Sequence, residues 1–485
     1  MGPSVESGCH RLRRGLVVAV VVVLMASALT ACQPARVGRR CKQGFARDNT
    51  HVLVCKGRRW VRLMTFADYL SLLRRLKAAP AGPGSGPPPR GGPGATLTPA
   101  TVPFPRLVID GAVEAVTGGR FLLRVAGWVT EWDQRGPVTL RVTSRDDFGQ
   151  RTLGEIQAGS QAASSDGSRR GFDVSLPSLG GEYTVCVEAL NTPGTGGWNT
   201  VLGCSEVEVD SGAPDDPLPE SAGWLETINH YREGSGLGPL VVETAWTDPI
   251  VKHLVYLRDT PAEYFTGEYA NLHRENPTSP YYTPEGAGNS HNVLTWAATE
   301  RQAMEGWIAA PFHALVGLDP TGNRGAFAIL LPPATRMNAA AKFGATAPLP
   351  AAATEPVMMP GDGAVTALRA FRGESPDPRD PCPERSSWHG LPIIVQLPYA
   401  PPSGITAGLV LPNGVSVADE DICVVSEDNY VPIDPIYGAA GKAVLDGADA
   451  VLVIPRDPLT PGTHQVSLEV PGHAPINWSF AVAKI

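Results

Sequence analysis

Residues 224–320 carry the side chains of this chain best suited to chemistry, His273, Glu285 and His313, with His253, His291 and Glu305 close by in sequence. An imidazole gains or loses a proton near physiological pH, and a carboxylate beside it completes an acid/base pair. Two imidazoles and a carboxylate also suit a borderline divalent ion such as zinc, with open positions left for water. The plainer alternative is that such groups hydrogen-bond one another and stitch loops to a sheet, as buried polar groups must. The chain has no HExxH, no G-x-S-x-G and no Ser-His-Asp order, which weighs against an enzyme built on those templates.

The elements that must position these residues are legible from periodicity. In WLETINHYREG, Trp224, Leu225, Ile228 and Tyr231 make one apolar stripe, and Gly234 and Gly236 stop the helix. Thr247 and Asp248 can cap a second helix with Pro249 in its first turn and Ile250, Leu254 and Leu257 on its buried face. His253 lies beside that stripe and reads as a packed core histidine. A polar loop, LHRENPTSPYYTPEGAGNS, carries His273 and Glu285, and His291 follows it as a loop or cap residue. A third helix, ERQAMEGWIAA, ends at Pro311, which leaves His313 in the turn after it.

INHYR, the paired GLGPL, the His273 loop, PEGAGNS and WIAAPFH before GLDP follow one another in an order that resembles the CAP superfamily in its bacterial form. These are the cysteine-rich secretory, antigen 5 and pathogenesis-related proteins. The resemblance spans roughly residues 220–340 and implies an α-β-α sandwich whose cleft holds two histidines and two acids. Carried over by residue, His273 is the first histidine, Glu285 the first acid and His313 the second histidine. The second acid of the family falls here on Ala310. Glu305 is the nearest substitute, but it stands two residues before Trp307, about 200° round the helix, and so is expected to face solvent. The resemblance therefore implies a triad without its fourth member. With no nucleophile motif beside it, the cleft reads as one for binding. The alternative is a metal-assisted extracellular hydrolase acting at His273, Glu285 and His313, with a divalent metal such as zinc on those three residues.

Arg11, Arg13 and Arg14 precede an apolar run over residues 16–31, which is short for a membrane span of about 20 residues. It ends in Leu29-Thr30-Ala31-Cys32, which resembles a bacterial lipobox with Cys32 as the acylated residue. Beyond Cys9 and Cys32 six cysteines remain, in the local pairs Cys41 with Cys55, Cys186 with Cys204, and Cys382 with Cys423. Six cysteines allow 15 connectivities, so the pairing stays open. Residues 33–77 carry twelve Lys or Arg against Asp48 and Asp68, a net of +10, whereas everything beyond residue 104 carries −21. A basic foot beside a lipid anchor suits anionic headgroups or wall polymers, and nucleic acid is not an expected partner of an exported chain.

The expected architecture is multidomain: a signal peptide with lipobox over residues 1–32, a small basic disulfide module over 33–77, and a Pro/Gly-rich linker over 78–104. An all-β sandwich follows over 105–212, where Val138, Leu140 and Val142 alternate with Thr139, Arg141 and Thr143. Its strands resemble accessory modules of actinobacterial surface proteins. The CAP-like α-β-α sandwich takes 213–354. A second β-sandwich takes 355–485, whose PRDPLTPGTHQVSLEV resembles immunoglobulin-like modules. The function expected of this arrangement is binding of an envelope lipid, glycan or protein at the cell surface.

Overall fold

The computed structural model describes three strands between residues 45 and 65 and most of residues 109–484. Residues 1–44, 48–50, 57–58, 66–108, 132–135, 160, 163–168, 193–197, 289, 332–335, 351–352, 383–388 and 485 lie outside the description. The expected signal peptide, Cys32, Cys41 and the linker fall there. The chain divides into two compact units, Met1–Thr101 and Val102–Ile485. In the first, β1 (Phe45–Arg47), β2 (His51–Lys56) and β3 (Arg59–Thr65) form an antiparallel sheet.

The second unit is rich in β-sheet. Two four-stranded sheets enclose its first core. One is ordered β11 (Thr200–Val209), β10 (Gly181–Ala189), β6 (Val138–Asp146), β7 (Gly149–Ala158), and the other β4 (Ile109–Gly119), β5 (Leu122–Glu131), β9 (Arg170–Pro177), β8 (Gln161–Ala162). The alternation read from sequence is the alternation of burial, since Val138, Leu140 and Val142 are fully buried while Thr139, Arg141 and Thr143 are not. Cys186 pairs across strands with Cys204 in a disulfide, and Cys382 with Cys423 in another.

Next comes a sheet ordered β12 (Val241–Val242), β14 (Arg324–Ile329), β15 (Ala339–Gly344), β13 (Val293–Thr295). Its strands split their side chains between two cores. Phe327, Ala339, Ala341 and Phe343 join α1 (Trp224–Gly234), with Ile228 and Tyr231, and α4 (Glu300–Ile308), with Met304 and Trp307. Ala326, Ala328 and Ala340 join Ile250, Leu254 and Leu257 of α2 (Thr247–Asp259) instead. Period-2 alternation in the strands thus puts helices against both faces of this sheet.

The C-terminal region has two further four-stranded sheets, β16 (Val357–Met359), β20 (Ile393–Gln396), β23 (Ala450–Pro455), β22 (Ile422–Val425) and β17 (Val365–Thr366), β25 (Ile476–Val482), β24 (Gly462–Glu469), β21 (Thr406–Val410), and a short pairing of β18 (Ala370–Phe371) with β19 (His389–Gly390). Every residue of β23 is buried. Val451 and Val453 face the core between these two sheets, whereas Ala450, Leu452 and Ile454 share the core of α1 and α4. A strand covered on both faces reads as a continuous apolar run, AVLVIP, and gives no sign of its second partner. Consequently the core runs uninterrupted across residues 354 and 355, where the sequence suggested a boundary. The region also holds a helix, Gly438–Gly447, that an all-β expectation omits.

Candidate functional site

The loop between α2 and β13 is nailed down by a buried acid that the motif reading passed over. His253 on α2 is fully buried, and its Nδ1 is hydrogen-bonded to Glu275 Oε1 at 2.9 Å while Nε2 donates to the Leu272 carbonyl at 3.0 Å. The other carboxylate oxygen of Glu275 accepts from the Thr283 amide, and the Glu275 side chain has no exposed area. Tyr256 of the same helix accepts from the Asn276 amide. His253 is the core histidine expected, and Glu275 is its buried hydrogen-bond partner.

Glu285 stands elsewhere. It belongs to the single turn α3 (Pro284–Ala287), whose Thr283 cap accepts from the Gly286 amide. Gly286 faces inward: a Cβ there would come within 2.4 Å of Glu275 Oε1. The neighbouring Glu285 is turned outward, its side chain 57% exposed, with Lys252 Nζ 3.7 Å from its carboxylate. It hydrogen-bonds neither His273 nor His313. Gly286 thus makes room for the buried acid that Glu285 is not.

His291, expected in a loop or cap role, is a buried ring in a stack. It lies 4.0 Å from the ring of His253 and 4.9 Å from that of His273, near parallel to both. Ser290 donates its hydroxyl proton to the Gly286 carbonyl, so His291 Nδ1 donates to Ser290 Oγ at 2.8 Å. That tautomer leaves His291 Nε2 as a buried acceptor without a partner. Burial pushes the His291 pKa far down, with the neighbouring imidazoles adding to it. His273, at the open end of the stack, is pushed down to about 4, first by burial and then by His313 and His253. It is therefore neutral at pH 7. Its ring meets Tyr437 edge-on at 6.3 Å, and Tyr437 Oη accepts from the Leu272 amide.

His313 does not sit in a turn but in the first turn of a short helix, α5 (Pro311–Gly317), which Pro311 begins. Ala310 precedes it without a capping side chain. The missing carboxylate arrives from outside the resemblance altogether. Glu374 accepts from the Phe312 amide at 2.9 Å, from the His313 amide at 3.3 Å and from His313 Nδ1 at 2.5 Å. Its side chain is 3% exposed, and that of His313 is 19% exposed. With Nδ1 held by Glu374, Nε2 is the ring nitrogen of His313 left without a partner among the described residues. The sequence held no signal for Glu374, which is 61 residues from His313 and outside any helical period.

Glu305, expected to face solvent, is drawn inward. Its side chain is 21% exposed and accepts from Arg301 one turn before it at 2.8 Å; Arg301 also pairs with Asp216. Burial raises the Glu305 pKa against the opposing pull of Arg301. The helix surface there is covered by residues 216–218, which the period alone cannot reveal.

The structure thus brings His273 into contact with His291 and Tyr437, while Glu285 is turned to Lys252 instead. Among the described residues, no group of three or more His, Cys, Asp or Glu side chains is arranged to hold a metal ion. His273, Glu285 and His313 consequently do not fit a shared zinc. His313 is instead oriented by Glu374, and the neutral ring of His273 rests between His291 and Tyr437. Among the described residues no helix is long and apolar enough to cross a membrane, and the two disulfides are compatible with an oxidising, extracellular setting. No protein-family model matches the chain, and no curated protein matches it.

Proposed function

We propose that this chain is a lipid-anchored surface protein whose α/β region is a divergent CAP domain, and that its His273–His313 cleft binds a component of the cell envelope. The observation that carries the reading is a pair of partly buried imidazoles with ring nitrogens left unpaired among the described residues: His313, held through Nδ1 by Glu374, and His273, stacked on His291. Unpaired polar groups at a concave site favour a ligand that supplies the missing partners. The CAP assignment is supported by the order of INHYR, GLGPL, the His273 loop, PEGAGNS and WIAAPFH, and by helices on both faces of one sheet. The display reading rests on the apolar run ending at Cys32 and on the basic stretch behind it. The β modules on either side would act as immunoglobulin-like spacers, and the ligand as an envelope lipid, glycan or protein.

Two experiments test this. Cys32→Ser should release the chain from the membrane fraction or leave it unprocessed; unchanged detergent partitioning and mass would remove the anchor. Full-length protein should retain an envelope lipid, glycan or protein fraction that His273→Ala and His313→Ala lose while melting at the wild-type temperature. Equal retention by all three proteins would remove the cleft from the binding reading.

A further inference from the structure

We propose that residues 431–436 form a rigid apolar wedge that inserts into a lipid surface whose headgroups carry no net charge. This goes beyond the binding reading and uses neither His273, His313 nor the Cys32 anchor. The segment VPIDPI displays its side chains inside out. Val431, Ile433 and Ile436 are 71%, 68% and 47% exposed, whereas Asp434 between them is half-buried. Pro435, Ala439 and Ala440 are exposed beside them. Water favours the reverse arrangement, and clustered exposed apolar side chains mark a contact with a partner or a membrane. Packing holds the wedge in that pose. Tyr430 before it is buried and meets Phe312 edge-on at 5.4 Å, and Tyr437 after it accepts from the Leu272 amide at 2.9 Å. Pro432 folds back on Gly438, where an added Cβ would come within 2.6 Å of the Pro432 Cβ. Asp434 is turned inward because its Oδ1 accepts from the Ile436 and Tyr437 amides, and Asp380 accepts from the Ile433 amide.

The same hydrogen bonds point to lipid as the occupant. A protein partner can satisfy exposed amides, but hydrocarbon cannot, so a backbone that enters lipid must satisfy its own. Ile433, Ile436, Tyr437 and Gly438 all donate within the protein, and Pro432 and Pro435 have no N–H. Among the described residues this leaves only the amides of Val431 and Asp434 in the wedge. Charge then selects the headgroup. Asp428 beside the wedge is exposed, and Lys442 is already paired with Glu427. An anionic headgroup would be repelled there, and a zwitterionic one would not.

The test uses the full chain with Cys32→Ser, so that no acyl chain contributes, and vesicles of pure phosphatidylcholine, which offer no net charge to the basic stretch over residues 33–77. Adding vesicles should protect residues 427–441 from hydrogen–deuterium exchange, and raised salt should leave that protection unchanged. This readout is local, so binding through the apolar run near the N-terminus does not mimic it. Val431→Ser with Ile433→Ser should need about 10-fold or more lipid to reach the same protection. Both side chains already face solvent, so the double variant should melt at the unsubstituted temperature. Ile433→Leu, which keeps the apolar area, should behave as the parent chain. No protection of the segment, equal protection in the double variant, or protection that appears only with phosphatidylglycerol and vanishes in salt would each overturn the proposal. Self-association that the double variant abolishes, with vesicles ignored, would also overturn it and make the wedge an interface between copies. Loss of the wedge leaves envelope retention through His273 and His313 standing, and loss of that retention leaves the wedge standing.

Discussion

At the scale of single residues, two glutamates in one loop carry opposite weights. Glu275 is fully buried against His253, and removing one partner of a buried pair leaves the other uncompensated. Glu275→Ala should cost about 3–5 kcal/mol in urea unfolding. Glu285→Ala, which loses only an exposed contact with Lys252, should cost at most about 1 kcal/mol. A reversed order would mean that the loop is held by Glu285 after all. The buried histidines make a second prediction. His464 lies fully buried against Phe480, and burial pushes its pKa down to about 4, as it does for His273. Each folded pKa is depressed below the unfolded value of about 6.5, so below that pH the unfolded chain takes up a proton that the fold refuses. Stability should therefore fall as pH drops from about 6.5 to about 4 and level off below, by about 3 kcal/mol for His464. His464→Leu should flatten that part of the pH dependence in denaturant melts. An unchanged slope would show that His464 is protonated in the fold.

At the scale of elements, α1 is secured by an arginine whose hydrogen bonds among the described residues all go to backbone carbonyls. Arg232 is 1% exposed and donates to the carbonyls of Gly238, Gly317, Asp319 and Gly322. Burial pushes its pKa down to about 10, so it remains charged at neutral pH. It clips the end of α1 to the turn after α5, and through that turn it helps to fix the helix that carries His313. Arg232→Met would strand several buried carbonyls, each worth about 1–3 kcal/mol when unpaired. The variant is expected to lose at least about 3 kcal/mol in urea unfolding. A loss under about 1 kcal/mol would mean that water replaces the guanidinium.

At the scale of the whole molecule, the sheet containing β23 is shared property. One of its faces completes the β-sandwich with β24 and β25, and the other completes the core of α1 and α4. Residues 218–454 therefore ought to unfold together, although the sequence suggested separate modules. Cys382 lies in that shared core and is bridged to Cys423 across 41 residues. Replacing both with alanine should cost about 2–4 kcal/mol. The loss should appear as a single shifted transition that also carries the α/β region, monitored by its tryptophans. Two transitions, with only the C-terminal one shifted, would show that the cores are independent.

Features that depend on short-range pattern were legible before any fold was known. Period-3.6 stripes marked α1, α2 and α4, period-2 alternation marked β6, and flanking glycines and prolines marked their ends. His253 was legible as a core residue because it stands beside the stripe of its own helix. Tertiary structure decided everything that depends on which distant surface covers an element. The period puts Glu305 outside the Trp307 stripe, but residues 216–218 cover that side and Arg301 draws it in. Glu285 stood in the motif, yet Gly286 next to it faces inward and gives the space to Glu275. Glu374 reaches His313 only because β20 and β23 bury two faces and dock the C-terminal region onto α5. A residue's neighbours in sequence fix its backbone direction, but the partner that satisfies its charge is set by long-range packing, which one sequence does not reveal.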